Sequence, residues 1–494
     1  MRQVALRAIL AASVTGVQAR AALLNYTTAE AGNPFVDGWY ADPDTEIYNG
    51  LYWVYPTSSH NYEEQTYLDA FSSPDLINWT KHPNILTSAN VSWATQAMWA
   101  PAPICRNGKY YIYFGANDIQ EDDTTTVGGI GVAVSDSPGG PYVDAIGSPL
   151  IGEYHNGAQP IDQDVFIDDD DGQAYIYYGG HSHANVALLN EDMVSIGTFP
   201  DGTQFKEITP TNYVEGAQMF KRNGVYYLMW SEGGWTGPDY AVSYSMSDSP
   251  LGPFERKAEI LRQDMAVATG SGHNGVINIP DTDIWYIVYH RHPLGDDDGN
   301  HRQLAYDRMY FNEDGSIADI VMLVKDNFED GDIVGWTTFD GSWSVVDGQL
   351  RAESSDGGGG KALLNTNFTD LVFDADVTIA SGDGDAGLLF RTVAPSNGLN
   401  AFVGYYAGIS TAGKVTLGKA NGTWTEIGAA EVDVAANTKY HVRVAAIGSE
   451  IQVFVADMNE PKIIVTDGMY SEGQDGLRVS LTEALFDNIS VARP

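Results

Sequence analysis

The stretch Asn223-Gly-Val-Tyr-Tyr-Leu-Met-Trp230 decides the fold, because the chain repeats it. Its partners are Asn49-Gly-Leu-Tyr-Trp-Val-Tyr, Asn107-Gly-Lys-Tyr-Tyr-Ile-Tyr, Asp171-Gly-Gln-Ala-Tyr-Ile-Tyr-Tyr and Asp283-Ile-Trp-Tyr-Ile-Val-Tyr. Asn-Gly and Asp-Gly suit tight hairpins, where both central residues take positive φ. The residues that follow are aromatic and β-branched, as strands prefer. The copies recur every roughly 50 to 65 residues, the length of a four-stranded propeller blade with its loops. A second echo, Ser73-Pro-Asp-Leu-Ile-Asn-Trp, Ser137-Pro-Gly-Gly-Pro-Tyr and Ser249-Pro-Leu-Gly-Pro-Phe, keeps the same phase. The pattern predicts an all-β fold with a five-bladed propeller.

About seven to ten residues before each copy, one strand of a hairpin away, stand Asp42, Trp99, Asp162, Glu215 and His273. If each turn joins the first two strands of a blade, these residues occupy equivalent places on five first strands. First strands line a propeller's axis, so all five should meet at one mouth.

The chain has 494 residues, 43% of them hydrophobic, enough for two packed domains. With 26 Lys+Arg against 66 Asp+Glu its net charge is -40, which argues against nucleic acid and anionic membranes as partners. A neutral polymer is compatible with that charge, and a monomer is expected. Arg2 and Arg7, the apolar run from Ala8 to Val17 and the Val17-Gln-Ala19 end have the three parts of a secretory signal over 1–19, followed by a lead-in over 20–32. Sequons begin at Asn25, Asn78, Asn90, Asn367, Asn421 and Asn488, as suits a secreted, extracellular glycoprotein. The single Cys105 cannot form an internal disulfide and reads as a small core residue.

The propeller is expected over 33–325, ending in a strand Asp319–Val324. From 326 to 494 the tyrosine repeat is missing, and short alternating strands such as Val372–Thr378, Gly387–Arg391 and His441–Val444 are separated by Gly-rich turns. That pattern reads as a β-sandwich, jelly-roll or laminin-G-like. Its Trp336, Trp343 and Trp424 read as core packing before sugar stacking.

Pro43 holds Asp42 extended, and Glu215 is an acid within an apolar strand. A glycosidase needs one carboxyl kept protonated for the leaving oxygen and another kept ionised to activate water. Apolar neighbours and a nearby third carboxylate would raise the pKa of Glu215. Asp44, Asp164 and Asp168 to Asp171 read as ordinary surface carboxylates. The run Asp168-Asp-Asp-Asp-Gly172 lacks the ligand spacing of a helix–loop–helix Ca²⁺ site.

Ala41-Asp42-Pro43, Trp99-Ala-Pro101, Ile161-Asp162 with Phe166, Glu215-Gly216 and Gly272-His273-Asn274 together resemble the motif series of family 43 glycoside hydrolases, in order over all five blades. The resemblance implies inversion, with Asp42 as general base, Glu215 as general acid and Asp162 orienting Glu215. For substrate binding it implies Trp99 as a subsite wall, His273 at the pocket floor and Arg302 as a sugar contact. The competing readings are blade packing, a satisfied core histidine and a partner for surface acids. No cofactor is required, although related enzymes sometimes hold a Ca²⁺ near the axis. The implied activity is exo-hydrolysis of α-L-arabinofuranosyl side chains on plant cell-wall arabinoxylan or arabinan. β-Xylosidase, arabinanase or galactanase activity, and a non-catalytic carbohydrate-binding propeller, are the alternatives. Retaining β-fructosidases fit less well, since Ala41 precedes Asp42 and no Arg-Asp-Pro follows.

Overall fold

The computed structural model describes residues 32–123, 125–354 and 359–494. The expected signal, residues 1–19, and most of the lead-in lie outside them. Five antiparallel sheets follow one another as blades. Their inner strands are Tyr40–Tyr48, Trp99–Arg106, Asp164–Ile167, Glu215–Arg222 and Ala268–Asn278. Each neighbours the next, and the fifth neighbours the first, so the ring closes.

The repeated tyrosine stretches are the second strands, Leu51–Ser58, Lys109–Ala116, Ala174–Tyr178, Val225–Glu232 and Trp285–Pro293. Asn49-Gly50, Asn107-Gly108 and Asn223-Gly224 each carry two positive φ values, as a tight primed turn demands. The Asp171 and Asp283 copies close longer loops.

The tyrosines recur because they tie blades together. Tyr55 Oη donates to the Pro138 carbonyl (3.0 Å), Tyr113 to Met193 (2.6 Å), Tyr177 to Pro250 (2.7 Å) and Tyr227 to Gly315 (2.7 Å), and in blade 5 Tyr306 of the third strand, Gln303–Met309, takes this part and donates to Leu76 (2.7 Å). Each ring fills an interblade core while its hydroxyl reaches a carbonyl in the segment after the next blade's third strand, which satisfies a buried polar atom. Hydrophobic clusters accordingly lie between successive blades. The ring is locked by the N-terminal segment: Asn33 Nδ2 donates to the Tyr306 carbonyl (2.9 Å), and the Tyr40 N–H to the Arg302 carbonyl (2.8 Å).

The expected propeller strand Asp319–Val324 does not form. The strand here is Val324–Asp326, and it pairs with Gln474–Ala492 of the C-terminal sheet. The sandwich therefore takes in Val324 and Lys325. Its expected strands Val372–Thr378 and Gly387–Arg391 are one long bent strand, Leu371–Val393, whose bulges let it serve the whole sandwich. Trp336 and Trp343 pack in a core that runs without a break into blades 4 and 5, through Phe220, Trp285 and Ile287. Among the described residues the only helices are two short 3-10 turns.

Candidate active site

The inner strands share one local device. Asp42, Ala100, Asp162, Gly216 and His273 all have left-handed φ, between 41° and 68°, so the extended backbone expected of Asp42 ahead of Pro43 is corrected to a left-handed one. Around this residue the pairing of the inner strand slips in blades 1, 2, 4 and 5, marking a β-bulge. The expectation of five equivalent residues is corrected here. Asp42, Asp162 and His273 occupy the bulge position, whereas Trp99 and Glu215 sit one residue earlier, beside Ala100 and Gly216. Neighbouring strand residues point opposite ways, and only the left-handed residue between them lets both sets face one mouth.

The bulge amides are held by the blade before. The Asp42 N–H donates to His290 Nδ1 (3.1 Å), the Ala100 N–H to Thr57 Oγ1 (2.7 Å) and the His273 N–H to Ser231 Oγ (2.9 Å). The three bulge side chains then converge: His273 Nδ1 lies 3.4 Å from Asp42 Oδ1 and 3.7 Å from Asp162 Oδ2. Asp42, Trp99, Asp162, Glu215 and Arg302 line a cavity of about 350 Å³, with Tyr62, Gln65, Asp118, Gln159, His181 and Trp235 among the rest of its wall. A larger cleft of about 720 Å³ between propeller and sandwich is lined by Trp39, Arg291 and Trp336, away from these acids.

The carboxyls are tuned in opposite directions. Burial opposes ionisation of Asp42, but Arg302 Nη1, 2.9 Å from Oδ1, and His273 outweigh it and hold the group well below the usual carboxylate range. Burial raises Glu215 above its ordinary value, against the opposing pull of the Tyr240 hydroxyl, which donates to Oε1 at 2.9 Å. Burial also raises Asp162, to about 8, against the pull of His273. His273 itself is raised because the carboxylates of Asp162 and Asp42 overcome its burial. His290 is pushed by burial down to about 3, so it is neutral, and its Nδ1 is free to accept the Asp42 amide.

Among the described residues, Tyr240 supplies the only hydrogen bond to the Glu215 carboxyl, and the charge of Glu215 adds to the raising of Asp162. Tyr240 and His290, stacked 5.5 Å apart, carry no signal in the sequence, since Tyr240 only precedes the strand Ala241–Ser247 and His290 lies within the aromatic strand Trp285–Pro293. Arg302 has two roles: it pairs with Asp42, and it stacks on Trp235 at the cavity wall (4.8 Å). Trp99 is held by its indole N–H on Gln65 Oε1 and meets Tyr62 edge-on. A Ca²⁺ at His273 fits poorly, because an imidazole set between two carboxylates is held as the cation that such an ion would replace.

A model of the glycosyl hydrolases family 43 matches residues 31–317. The chain belongs to that family. Its C-terminal part, 324–492, the β-sandwich, matches a 3-keto-alpha-glucoside-1,2-lyase-like domain. The family 43 part is 47% identical over 318 residues to a β-D-galactofuranosidase of Aspergillus niger, covering 61% of this chain and 89% of the relative. An arabinoxylan arabinofuranohydrolase of Bacillus subtilis is 28% identical over 439 residues, covering 77% and 81%. The solved family 43 enzyme of Xanthomonas citri, in complex with xylose, superposes with a TM-score of 0.50 at 26% identity, covering 59% of this chain and 93% of that one. The protein is a family 43 glycoside hydrolase.

The acids read as surface groups are corrected as well. Asp164 and Asp168 are buried and Asp44 is half-buried. Asp44, Glu46 and Asp164 line a second cavity of about 420 Å³ along the inner strands. Asp168, Asp169 and Asp170 close around Lys221 Nζ at 2.9, 2.6 and 2.8 Å, so an ammonium fills the only described cluster with metal-like spacing.

Proposed function

We propose that this family 43 enzyme is an inverting, exo-acting furanosidase that removes α-L-arabinofuranosyl side chains from arabinoxylan or arabinan. The observation that carries the reading is the opposed tuning of two carboxyls on one small cavity, Asp42 kept ionised and Glu215 driven toward the protonated form. Glu215 gives its proton to the glycosidic oxygen as the C1–O bond breaks. A water on the opposite face attacks C1 and gives its proton to Asp42. Asp42 ends protonated and Glu215 ionised, and exchange with solvent resets both. Inversion calls for about 6.5 to 9.5 Å between the two carboxyls, room for that water. His273 and Arg302 keep Asp42 ionised, and Trp99 gives the sugar a flat wall.

A cavity of about 350 Å³ suits one terminal sugar, which favours exo action. The arabinoxylan arabinofuranohydrolase relative supports an arabinofuranoside, and the net charge of -40 suits a neutral polymer. The Aspergillus relative favours a second reading, β-D-galactofuranoside hydrolysis. The two sugars share the configuration of their furanose ring and differ by one exocyclic carbon. Secretion is part of the proposal, supported by the signal-like N-terminus and the exposed sequon residues Asn78, Asn90, Asn421 and Asn488.

Proton NMR of wheat arabinoxylan digestion, with Glu215→Ala as control, tests the reading. The expected product is arabinose appearing first as the β-anomer and absent with the variant. Xylose as the product would move the substrate, and first appearance of the α-anomer would refute inversion.

A further inference from the structure

Resting on the furanosidase reading, we infer that Asp118 is a specificity-determining residue whose Oδ2 receives the exocyclic hydroxyls of the bound sugar, so that the site takes a hexofuranose with its vicinal diol as well as a pentofuranose. Asp118 follows the second strand of blade 2 and lines the cavity that holds Asp42 and Glu215. With Gln159 it forms the sector of wall facing blades 2 and 3. The charges of Asp118, Arg302, Glu215 and Asp42 all reach the Tyr62 phenol, which places Asp118 and the reacting acids on the same space.

The carboxylate is presented rigidly. Asn117 and Asp118 are consecutive non-glycine residues with left-handed φ, 66° and 43°, a strained arrangement that needs support. The support comes from Asn117. Its Oδ1 accepts the Thr95 and Gln96 amides at 2.8 and 3.2 Å, and its Nδ2 donates to the Trp93 and Val127 carbonyls, both at 2.7 Å. Asn117 thus has every arm engaged, and Asp118 is left facing the cavity.

The hydrogen bonding of Asp118 is one-sided. Gln159 Nε2 and Gln120 Nε2 both donate to Oδ1 at 2.9 Å, while none of the described residues donates to Oδ2. Among the described residues no lysine or arginine pairs with this half-buried acid; the imidazole of His181 stands on the same cavity wall, with its Nδ1 3.3 Å from Tyr154 Oη. An acceptor that faces the cavity is open to a ligand's donors, which replace the water there. Sugar hydroxyls are such donors, and two vicinal ones match the two lone pairs of a single carboxylate oxygen. With C1 set between Asp42 and Glu215, the arm on C4 is the part of the furanose that points away from them. A pentofuranose arm offers one hydroxyl there; a hexofuranose arm offers two.

The test compares the full chain with Asp118→Asn and Asp118→Ala on 4-nitrophenyl α-L-arabinofuranoside and 4-nitrophenyl β-D-galactofuranoside, with kcat and KM measured separately. Wild type should split both. In Asp118→Ala, kcat/KM should fall by about 10- to 100-fold on the galactofuranoside, mainly through KM, and by about threefold on the arabinofuranoside. Asp118→Asn keeps an acceptor for Gln120 and Gln159, so it should fold like wild type and lie between. Equal losses on both substrates, no loss on either, or a wild type that splits only the arabinofuranoside would overturn the inference. A wild type that splits neither would overturn the furanosidase reading and this inference with it.

Discussion

At the scale of single residues, the site works by tuning chemically similar groups in opposite directions. Asp42 is buried and Glu215 half-buried, and desolvation alone would raise the pKa of both. The difference is Arg302, whose guanidinium is bonded to Asp42 and supplies the charge that keeps it ionised. Replacing Arg302 with Met should therefore raise the pKa of Asp42. The acid limb of kcat/KM reports an essential base in the free enzyme, so that limb should move to higher pH by about 1 to 3 units. A pH profile in which only the plateau falls would assign Arg302 to sugar contact alone. Tyr240 is the complementary device: its hydroxyl fixes Glu215 while partly offsetting the upward push of burial.

At the scale of elements, the inner-strand bulge sets the geometry. Gly216 has φ 68°, and a Cβ there would stand 3.1 Å from Ser231 Oγ and 3.2 Å from His273 Cγ. A side chain is thus opposed both by the backbone and by the groups that hold the blade 5 bulge. Gly216→Ala should cost roughly 1 to 3 kcal/mol of stability, and it should lower kcat by about tenfold or more as the adjacent Glu215 shifts. Thermal melts and single-substrate kinetics on the same preparation check both parts. Loss of stability without loss of kcat would show that the bulge supports the ring but does not aim the acid.

At the scale of the molecule, a chain with net charge -40 buries many of its acids. Asp44, Glu46 and Asp164 lie together on one cavity, and burial raises Asp44 well above its usual value and takes Glu46 and Asp164 to about 7. A carboxyl raised in the folded state contributes its stability in full below the unfolded value of about 4 and loses it as pH rises through about 7. Asp42, depressed in the fold, acts in the opposite sense and at lower pH. Melting temperature should therefore fall between pH 5 and pH 8. Asp164→Asn should flatten that fall, since Asn Oδ1 can still accept the Met219 amide now bonded to Asp164 Oδ2 at 2.6 Å. An equal slope in both proteins would remove Asp164 from the account.

Much of this was legible in the chain because it repeats. The Asn-Gly turns and the tyrosines after them are local signals, and a period of one blade follows from stacking identical units against one another. The acids before each turn were legible for the same reason, since a hairpin fixes how far upstream the inner strand begins. Which way each side chain faces was decided only in three dimensions. The left-handed residue falls on Asp42, Asp162 and His273 but beside Trp99 and Glu215, and spacing alone cannot register a one-residue shift that a bulge absorbs. Asp164 and Asp168 read as surface groups because charge predicts exposure only on average, and tertiary packing enclosed them. Arg302 and Asp118 reach the cavity, and the buried Tyr240 and His290 reach its acids, from places far apart in the chain. The sequence by itself determined the repeat, the two domains and the acids that a hydrolase needs. Only the closed ring decided which acid is ionised, because that depends on a guanidinium 260 residues away being brought within 2.9 Å.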